Sequence, residues 1–324
     1  MKIIANEFVM PVAFEGECHA SHFVTLGGGR IYCVFFKGSK EGKDDVRIYG
    51  CSRNPADGSW TEPVALSADD GVPHWNPVLF RRKDGTVMLF YKVGKKISEW
   101  KTFCRISEDN CETWGDSFEL VEGDESGGRG PVRNKAIYSS DGRIIAPAST
   151  EVGEWKCFFD ISKDEGKTWT KTDEIVMLDE HLDRSRPLEW RGIIQPAIWE
   201  TENGFHALLR CSEGNIFRTD STDGVNWTIP QPTNMPNNNS GIDAVCLPDG
   251  RIILACNPVS EDWGARSPIS LYVSNDNGNN FELLTHLTTM PGEYSYPAVM
   301  YEEGKLHITY TWQRRTIQYF CFEL

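Results

Sequence analysis

Six short stretches pair a polar side chain with a following Ala or Pro: His19-Ala20, Asn76-Pro77, Lys135-Ala136, Gln195-Pro196, Asp243-Ala244 and Tyr296-Pro297. Two residues ahead of them stand Glu17, His74, Arg133, Ile193, Gly241 and Tyr294. Side chains two apart on a strand share a face, so if the six stretches converge they form a crown of His, Lys, Arg, Asp, Asn, Gln and Tyr around one cavity. Such a set binds an anion through its cations, holds neutral polar groups through its amides, and moves protons through imidazole, phenol or carboxylate. A lone His or Asn at a strand end is ordinarily a satisfied structural group. Polar types at all six places go beyond what a structural channel needs, since Val or Thr would serve there.

Two repeats show what must position these residues. Each stretch precedes a tight turn followed by an apolar or alternating run, as in Asp84-Gly85 before Val87-Met-Leu-Phe-Tyr91, or Glu303-Gly304 before Leu306-His-Ile-Thr-Tyr310. Six such strand, turn, strand signals mean six units. The second repeat is a phrase of the form Ser162-Lys-Asp-Glu-Gly-Lys-Thr-Trp169, with copies starting at Ser107, Ser221 and Ser274 and a looser one from Ser52 to Trp60. A recurrence every 53 to 59 residues is the mark of a propeller or solenoid. Each phrase reads as a hairpin turn in which Asp caps backbone N–H groups, Gly or Asn accepts positive φ, and the terminal aromatic pins the loop. Helical periodicity is nearly absent, and strands rich in Trp, Tyr, Phe, Val and Ile alternate with turns. The expectation is an all-β, six-bladed β-propeller spanning 1–324 as one domain, with an N-terminal strand within 3–12 closing the blade of the C-terminal strands.

Charge and composition narrow the partners. A formal charge of −14 repels a nucleic-acid backbone or an anionic membrane over most of the surface, so an anionic substrate requires a local basic pocket. The first residues lack the apolar core of a signal peptide and no apolar run reaches spanning length, which points to a cytoplasmic protein. The ten cysteines show no C-x-x-C pairing and read as reduced, buried thiols. The seven histidines are scattered, the loop Asp179 to Asp183 is only a weak calcium candidate, and Gly127-Gly128-Arg129-Gly130 precedes no helix signal, so neither a metal nor a cofactor is expected.

The repeated phrases match the Asp-box motif, and with six units the chain resembles the sialidase (neuraminidase) superfamily, in particular bacterial neuraminidase-like proteins with BNR repeats. That family is known for an arginine triad on the substrate carboxylate, a Tyr nucleophile activated by a Glu, and an Asp acid/base. Arg210, in Leu208-Leu-Arg-Cys-Ser-Glu-Gly-Asn215, resembles the second arginine. Arg266, followed 28 residues later by Tyr294-Ser-Tyr-Pro, resembles the third arginine and the Tyr nucleophile motif. His19 stands where the resemblance calls for the first arginine, and Gln195 stands near the place of the Glu. Glu41, Asp44 and Asp45 are all open as the acid/base. A phenol is a poor nucleophile at neutral pH unless a base takes its proton, so Tyr294 needs another partner.

The resemblance implies an exo-acting glycosidase on a terminal acidic sugar. Arg210 and Arg266 would clamp the carboxylate, Tyr294 would serve the anomeric centre, and one of Glu41, Asp44 and Asp45 would protonate the leaving oxygen. His19, His74, Asn76, Lys92, Lys135, Gln195, Asn239, Asp243 and Tyr296 would contact the rest of the glycan. A second reading is a uronate lyase in which His19 or Tyr294 removes the proton α to the carboxylate; a third is a glycan-binding propeller without catalysis. The two departures predict that α-linked sialic acid is a poor substrate and that His19 titrates near neutrality.

Overall fold

The computed structural model describes residues 1–12 and 15–324. Six four-stranded antiparallel sheets follow one another along the chain, each running from an inner strand outward. The first blade leads from Glu17–Thr25 through Ile31–Gly38 and Arg47–Arg53 to the short rim strand Val64–Ala65. The inner strands of the others are His74–Arg81, Ile137–Tyr138, Ile193–Thr201, Asp243–Cys246 and Tyr294–Glu302. The sixth blade continues through Lys305–Trp312 and Thr316–Glu323, and Lys2–Phe8 completes it from the other end of the chain, with Lys2 opposite Glu323 and Phe8 opposite Gln318. The molecule is thus the six-bladed propeller that the repeats imply, closed by its N-terminal strand, which forms the outermost strand of the last blade and so joins the two ends of the chain in one sheet. Helical structure among the described residues amounts to four single 3₁₀ turns.

The core lies in the seams between blades. Val34, Phe36 and Ile48 of the first blade pack against Leu79, Leu89 and Tyr91 of the second, and Ile145 and Phe159 of the third against Ile198, Ala207 and Phe217 of the fourth. Second strands such as Ile144–Thr150 are buried throughout because a neighbouring blade covers each face, so they read as apolar runs rather than alternating ones. The cysteines fit this picture: all ten are unpaired and nine are buried.

The recurrent turns have the internal hydrogen bonding their sequence calls for. In the third blade Asp164 Oδ1 accepts from the Thr168 amide at 2.9 Å and from Ser162 Oγ at 2.8 Å, and the Gly166 amide donates to Ser162 Oγ at 2.7 Å. Asp109, Asp223 and Asp276 repeat the arrangement. Trp169 and Phe281 are buried beneath their turns, whereas Trp60, Trp114 and Trp227 are half-buried at the rim.

Candidate functional site

Four of the six inner strands carry the same irregularity at the same mouth of the channel. The ladder slips between His19 and His22, Trp75 and Val78, Ile194 and Ala197, and Ser295 and Ala298. At each slip one non-glycine residue takes a left-handed backbone: Ala20 (φ 54°), Asn76 (44°), Gln195 (56°) and Tyr296 (56°). Such a conformation costs about 1 kcal/mol or more and persists only when neighbours enforce it. Blade three braces two of the four, those at Gln195 and Tyr296. Its inner strand is short, and the segment before it sends Arg133 Nη2 to the carbonyls of Tyr296 and Pro297 (2.5 and 2.9 Å), and Asn134 Nδ2 to those of Gln195 and Pro196 (3.0 and 3.1 Å). The Pro that follows three of the four residues has no N–H to lose at a bulge.

The bulges turn Asn76, Gln195 and Tyr296 into a pocket of about 800 Å³. Three guanidiniums enter it: Arg210, Arg266 and Arg314. Arg210 is buried; its Nε donates to Asn239 Oδ1 at 3.0 Å, and its Nη1 to Gln195 Oε1 at 3.1 Å and to the Tyr296 hydroxyl at 2.8 Å. Arg266 and Arg314 share Glu293, each reaching its Oε1 at 2.8 Å, and Arg314 also meets Glu41. The Tyr296 ring lies among cations, with the guanidinium carbons of Arg133, Arg210 and Arg266 at 5.2, 5.7 and 5.6 Å from its centroid. Glu41, Glu151 and Glu189 bring carboxyl groups to the walls, and Trp75, Trp100, Trp155, Trp190 and Trp263 make the pocket aromatic.

Of the residues the sequence pointed to, Glu41, Asn76, Gln195, Arg210, Arg266 and Tyr296 line this pocket. Asn239 stands behind it, holding Arg210. His19 is buried against the Tyr296 ring, centroids 4.1 Å apart, with Nδ1 bonded to Thr311 Oγ1 at 2.8 Å. Ala20, not His19, occupies the bulge position equivalent to Asn76, so the six-fold alignment of the first blade is displaced by one residue. Tyr294 is fully buried with its hydroxyl against Gln313 Nε2 at 2.9 Å, so Tyr296, two residues on, is the phenol that faces the pocket.

The remaining candidates lie elsewhere. Lys135 and Asp243 bond each other across the channel at 2.8 Å, and Asp243 also accepts from the Val299 amide. His74 points to Ser67 and Asp70. Lys92 is buried against Thr102 Oγ1 and the carbonyl of Arg129. Asp44 pairs with Lys95 at the surface, and Asp45 caps Ser39. Among the three acidic candidates, the structure brings only Glu41 to the pocket. Arg314, Glu151, Glu293 and the tryptophan walls carry no repeat signal. Arg314 sits in the turn between Lys305–Trp312 and Thr316–Glu323, outside any strand.

Burial and charge set the proton affinities. Burial, then the fields of Arg314, Arg266, Arg133 and Arg210, push the His19 imidazole well below its ordinary value, so it is neutral near pH 7. Burial raises the Glu151 carboxyl above its ordinary value against the opposing pull of Arg210. Burial lowers Lys92 to about 7 and Arg133 to about 10. The pocket therefore combines fixed cations, a neutral imidazole behind the phenol and a carboxyl that holds its proton more tightly than usual. Among the described residues no cluster of three or more His, Cys, Asp or Glu has metal-binding geometry.

The family model of the BNR repeat-like domain matches residues 29–308. No curated protein matches the chain in sequence. Among solved structures, a protein of unknown function from Dyadobacter fermentans aligns over 100% of this chain and 99% of its own, at 15% identity and a TM-score of 0.78. The intramolecular trans-sialidase from Ruminococcus gnavus aligns over 100% and 98%, at 14% identity and a TM-score of 0.74. The NanB sialidase from Streptococcus pneumoniae aligns over 96% and 69%, at 13% identity and a TM-score of 0.71. At these identities the likeness is one of fold.

Proposed function

This chain belongs to the BNR repeat-like family, and from that premise we propose that its pocket is the active site of a glycoside hydrolase acting on a terminal sugar that carries a carboxylate. The observation that carries the reading is the meeting of Arg210, Arg266 and Arg314 in one pocket with Tyr296 and with a carboxyl, Glu151, whose proton affinity is raised. Guanidiniums in a partly desolvated pocket bind a carboxylate through short, charge-assisted, two-pronged contacts. Arg210 is the leading member, because its partners Asn239, Gln195 and Tyr296 are all neutral and leave its charge uncompensated.

Glu151 then donates a proton to the leaving oxygen, the task for which a raised carboxyl is suited. As the glycosidic C–O bond breaks, the Tyr296 oxygen bonds to the anomeric carbon and its phenolic proton passes to Glu41. Water, losing a proton to Glu151, then releases the sugar while Glu41 returns the proton to the phenol, and the Arg210 N–H aimed at the Tyr296 oxygen offsets negative charge on it. Glu41, ion-paired to Arg314, is the base available on the first blade. The test is a screen of the purified protein against sialosides, uronides and rhamnosyl-uronides, read by released sugar and by ultraviolet absorbance. Hydrolysis of an acidic glycoside that Tyr296→Phe abolishes while binding persists supports the proposal. Hydrolysis indifferent to both Tyr296→Phe and Glu151→Gln overturns it.

One observation favours a second reading. Gln195 rather than a carboxylate stands beside Tyr296, and the neutral His19 ring packs on the phenol, a combination suited to removing a proton α to a carboxylate while arginines neutralise the charge that forms. That reaction leaves a conjugated double bond, and its new ultraviolet absorbance in place of released sugar would identify a lyase.

A further inference from the structure

Two of the five pocket tryptophans differ from the rest. Trp75, Trp100 and Trp155 are buried in the wall, with relative exposures of 9%, 4% and 4%, whereas Trp190 and Trp263 stand 53% and 51% exposed at the lip. The exposed pair meets edge to face, with centroids 6.1 Å apart, although the rings come from different loops, one before the fourth blade's inner strand and one within the fifth blade.

The lip is built. Trp263 holds a left-handed backbone, φ 54°, unusual for a bulky residue, and its amide donates to the Asn238 carbonyl at 3.2 Å while Asn238 Nδ2 reaches back to Ala265 O at 2.8 Å. Trp190 rides on a 3₁₀ turn, its amide bonded to Pro187 O at 3.1 Å. An Arg186–Asp262 ion pair ties the two loops together, and Arg186 Nη1 anchors to Ser212 O at 2.8 Å. Arg191 binds Glu154 at 3.1 Å, and its carbonyl accepts from the Trp155 amide at 2.9 Å, which joins the lip to the pocket wall. Strain held at a water-facing aromatic has no packing purpose, and observed strain of this kind gathers at ligand clamps.

We infer that Trp190 and Trp263 form a platform for a second pyranose ring, so that the ligand is a glycan whose terminal acidic sugar is followed by another sugar stacked at the lip. The apolar face of a pyranose fits a rigid aromatic surface, and the platform is continuous with the pocket where Arg210 and Tyr296 hold the first ring. This rests on the reading of the pocket as an acidic-sugar site.

The experiment is calorimetric titration of the full chain carrying Glu151→Gln, so that the linked probes are not turned over during the measurement, with matched probes: N-acetylneuraminic acid against 3′-sialyllactose, and glucuronic acid against a disaccharide ending in glucuronate. For whichever acid binds, the linked probe is expected to bind about tenfold tighter than the free sugar. Trp190→Ala/Trp263→Ala should remove that gain, leave the free-sugar affinity unchanged and leave the thermal midpoint intact, and Trp190→Phe should retain most of it. Equal affinity for free and linked sugar, or a gain that survives in the double variant, overturns the platform alone. Failure of every probe to bind overturns the acidic-sugar reading and the platform with it.

Discussion

The outer turns and the central pocket are both dense in charge, yet they use it in opposite ways. In the turns every aspartate is saturated locally: Asp109, Asp164 and Asp276 accept from a Thr or Asn side chain, a backbone amide and a Ser hydroxyl, and these bonds hold their carboxyls down at about 2. In the pocket Arg210 has only neutral partners, Arg266 and Arg314 share one carboxylate of Glu293, and Tyr296 sits in a strained bulge among them. A motif whose bonds are closed within eight residues stabilises each blade and has nothing left to offer a ligand. The chemistry sits where the repeat is broken, at polar groups whose partners come from other blades.

Breaking each region should have separable effects. The largest is expected from Glu151→Gln, which should lower kcat on the acidic glycoside by about 10² to 10⁴-fold, the range for loss of a general acid. Because burial raises this carboxyl and its protonated form does the work, wild-type activity should fall as pH rises through a value above the ordinary carboxylate range, and a pH–rate profile of the two proteins checks this. An alkaline limb unchanged in the variant would assign the proton donor elsewhere.

Trp169→Ala strikes the turns instead. Its ring packs edge to face on Phe90 at 6.0 Å and its indole N–H donates to Gly166 O at 3.1 Å, so the unfolding free energy should drop by about 3 kcal/mol, measured by denaturant titration, with ligand affinity unchanged. A change in affinity would show that turns and pocket are coupled. A smaller effect is expected from Arg210→Lys: the charge remains, but the fork that reaches Asn239, Gln195 and Tyr296 is lost, and Kd for the acidic sugar should weaken by about 10 to 100-fold.

The smallest effect is acid sensitivity. His19 and His22 are fully buried, and burial places both imidazoles well below the ordinary 6.5. The unfolded chain therefore takes up protons that the folded one refuses, and stability is lost as pH falls below about 6.5 toward the depressed folded values. Urea midpoints followed downward from neutral pH should decline, and less steeply in His22→Gln. The expectation that His19 titrates near neutrality does not survive its burial among four guanidiniums.

Much of this was legible in the residues because it is local. Period, turn chemistry and strand alternation each depend on neighbours a few positions apart, and they specify six blades, the closing strand and the mouth where inner strands begin. The Gln195-Pro196 and Tyr296-Pro297 pairs mark where inner strands open, though not that the ladder bulges there or that the first blade bulges at Ala20. What local pattern leaves open depends on which distant segments meet. Arg314 reaches the clamp only because closure of the ring lays its turn beside Glu41 and Glu293. Tyr296 rather than Tyr294 faces the pocket because a bulge inverts the alternation, and Arg133, from a blade three positions away, braces that bulge. Lys135 and Asp243 are turned from a ligand set into a buried pair by the same convergence. Two charges 108 residues apart carry no mark in the sequence of which will find the other and which will be left for a ligand; the packing of the ring makes that choice, because buried charges must pair within it.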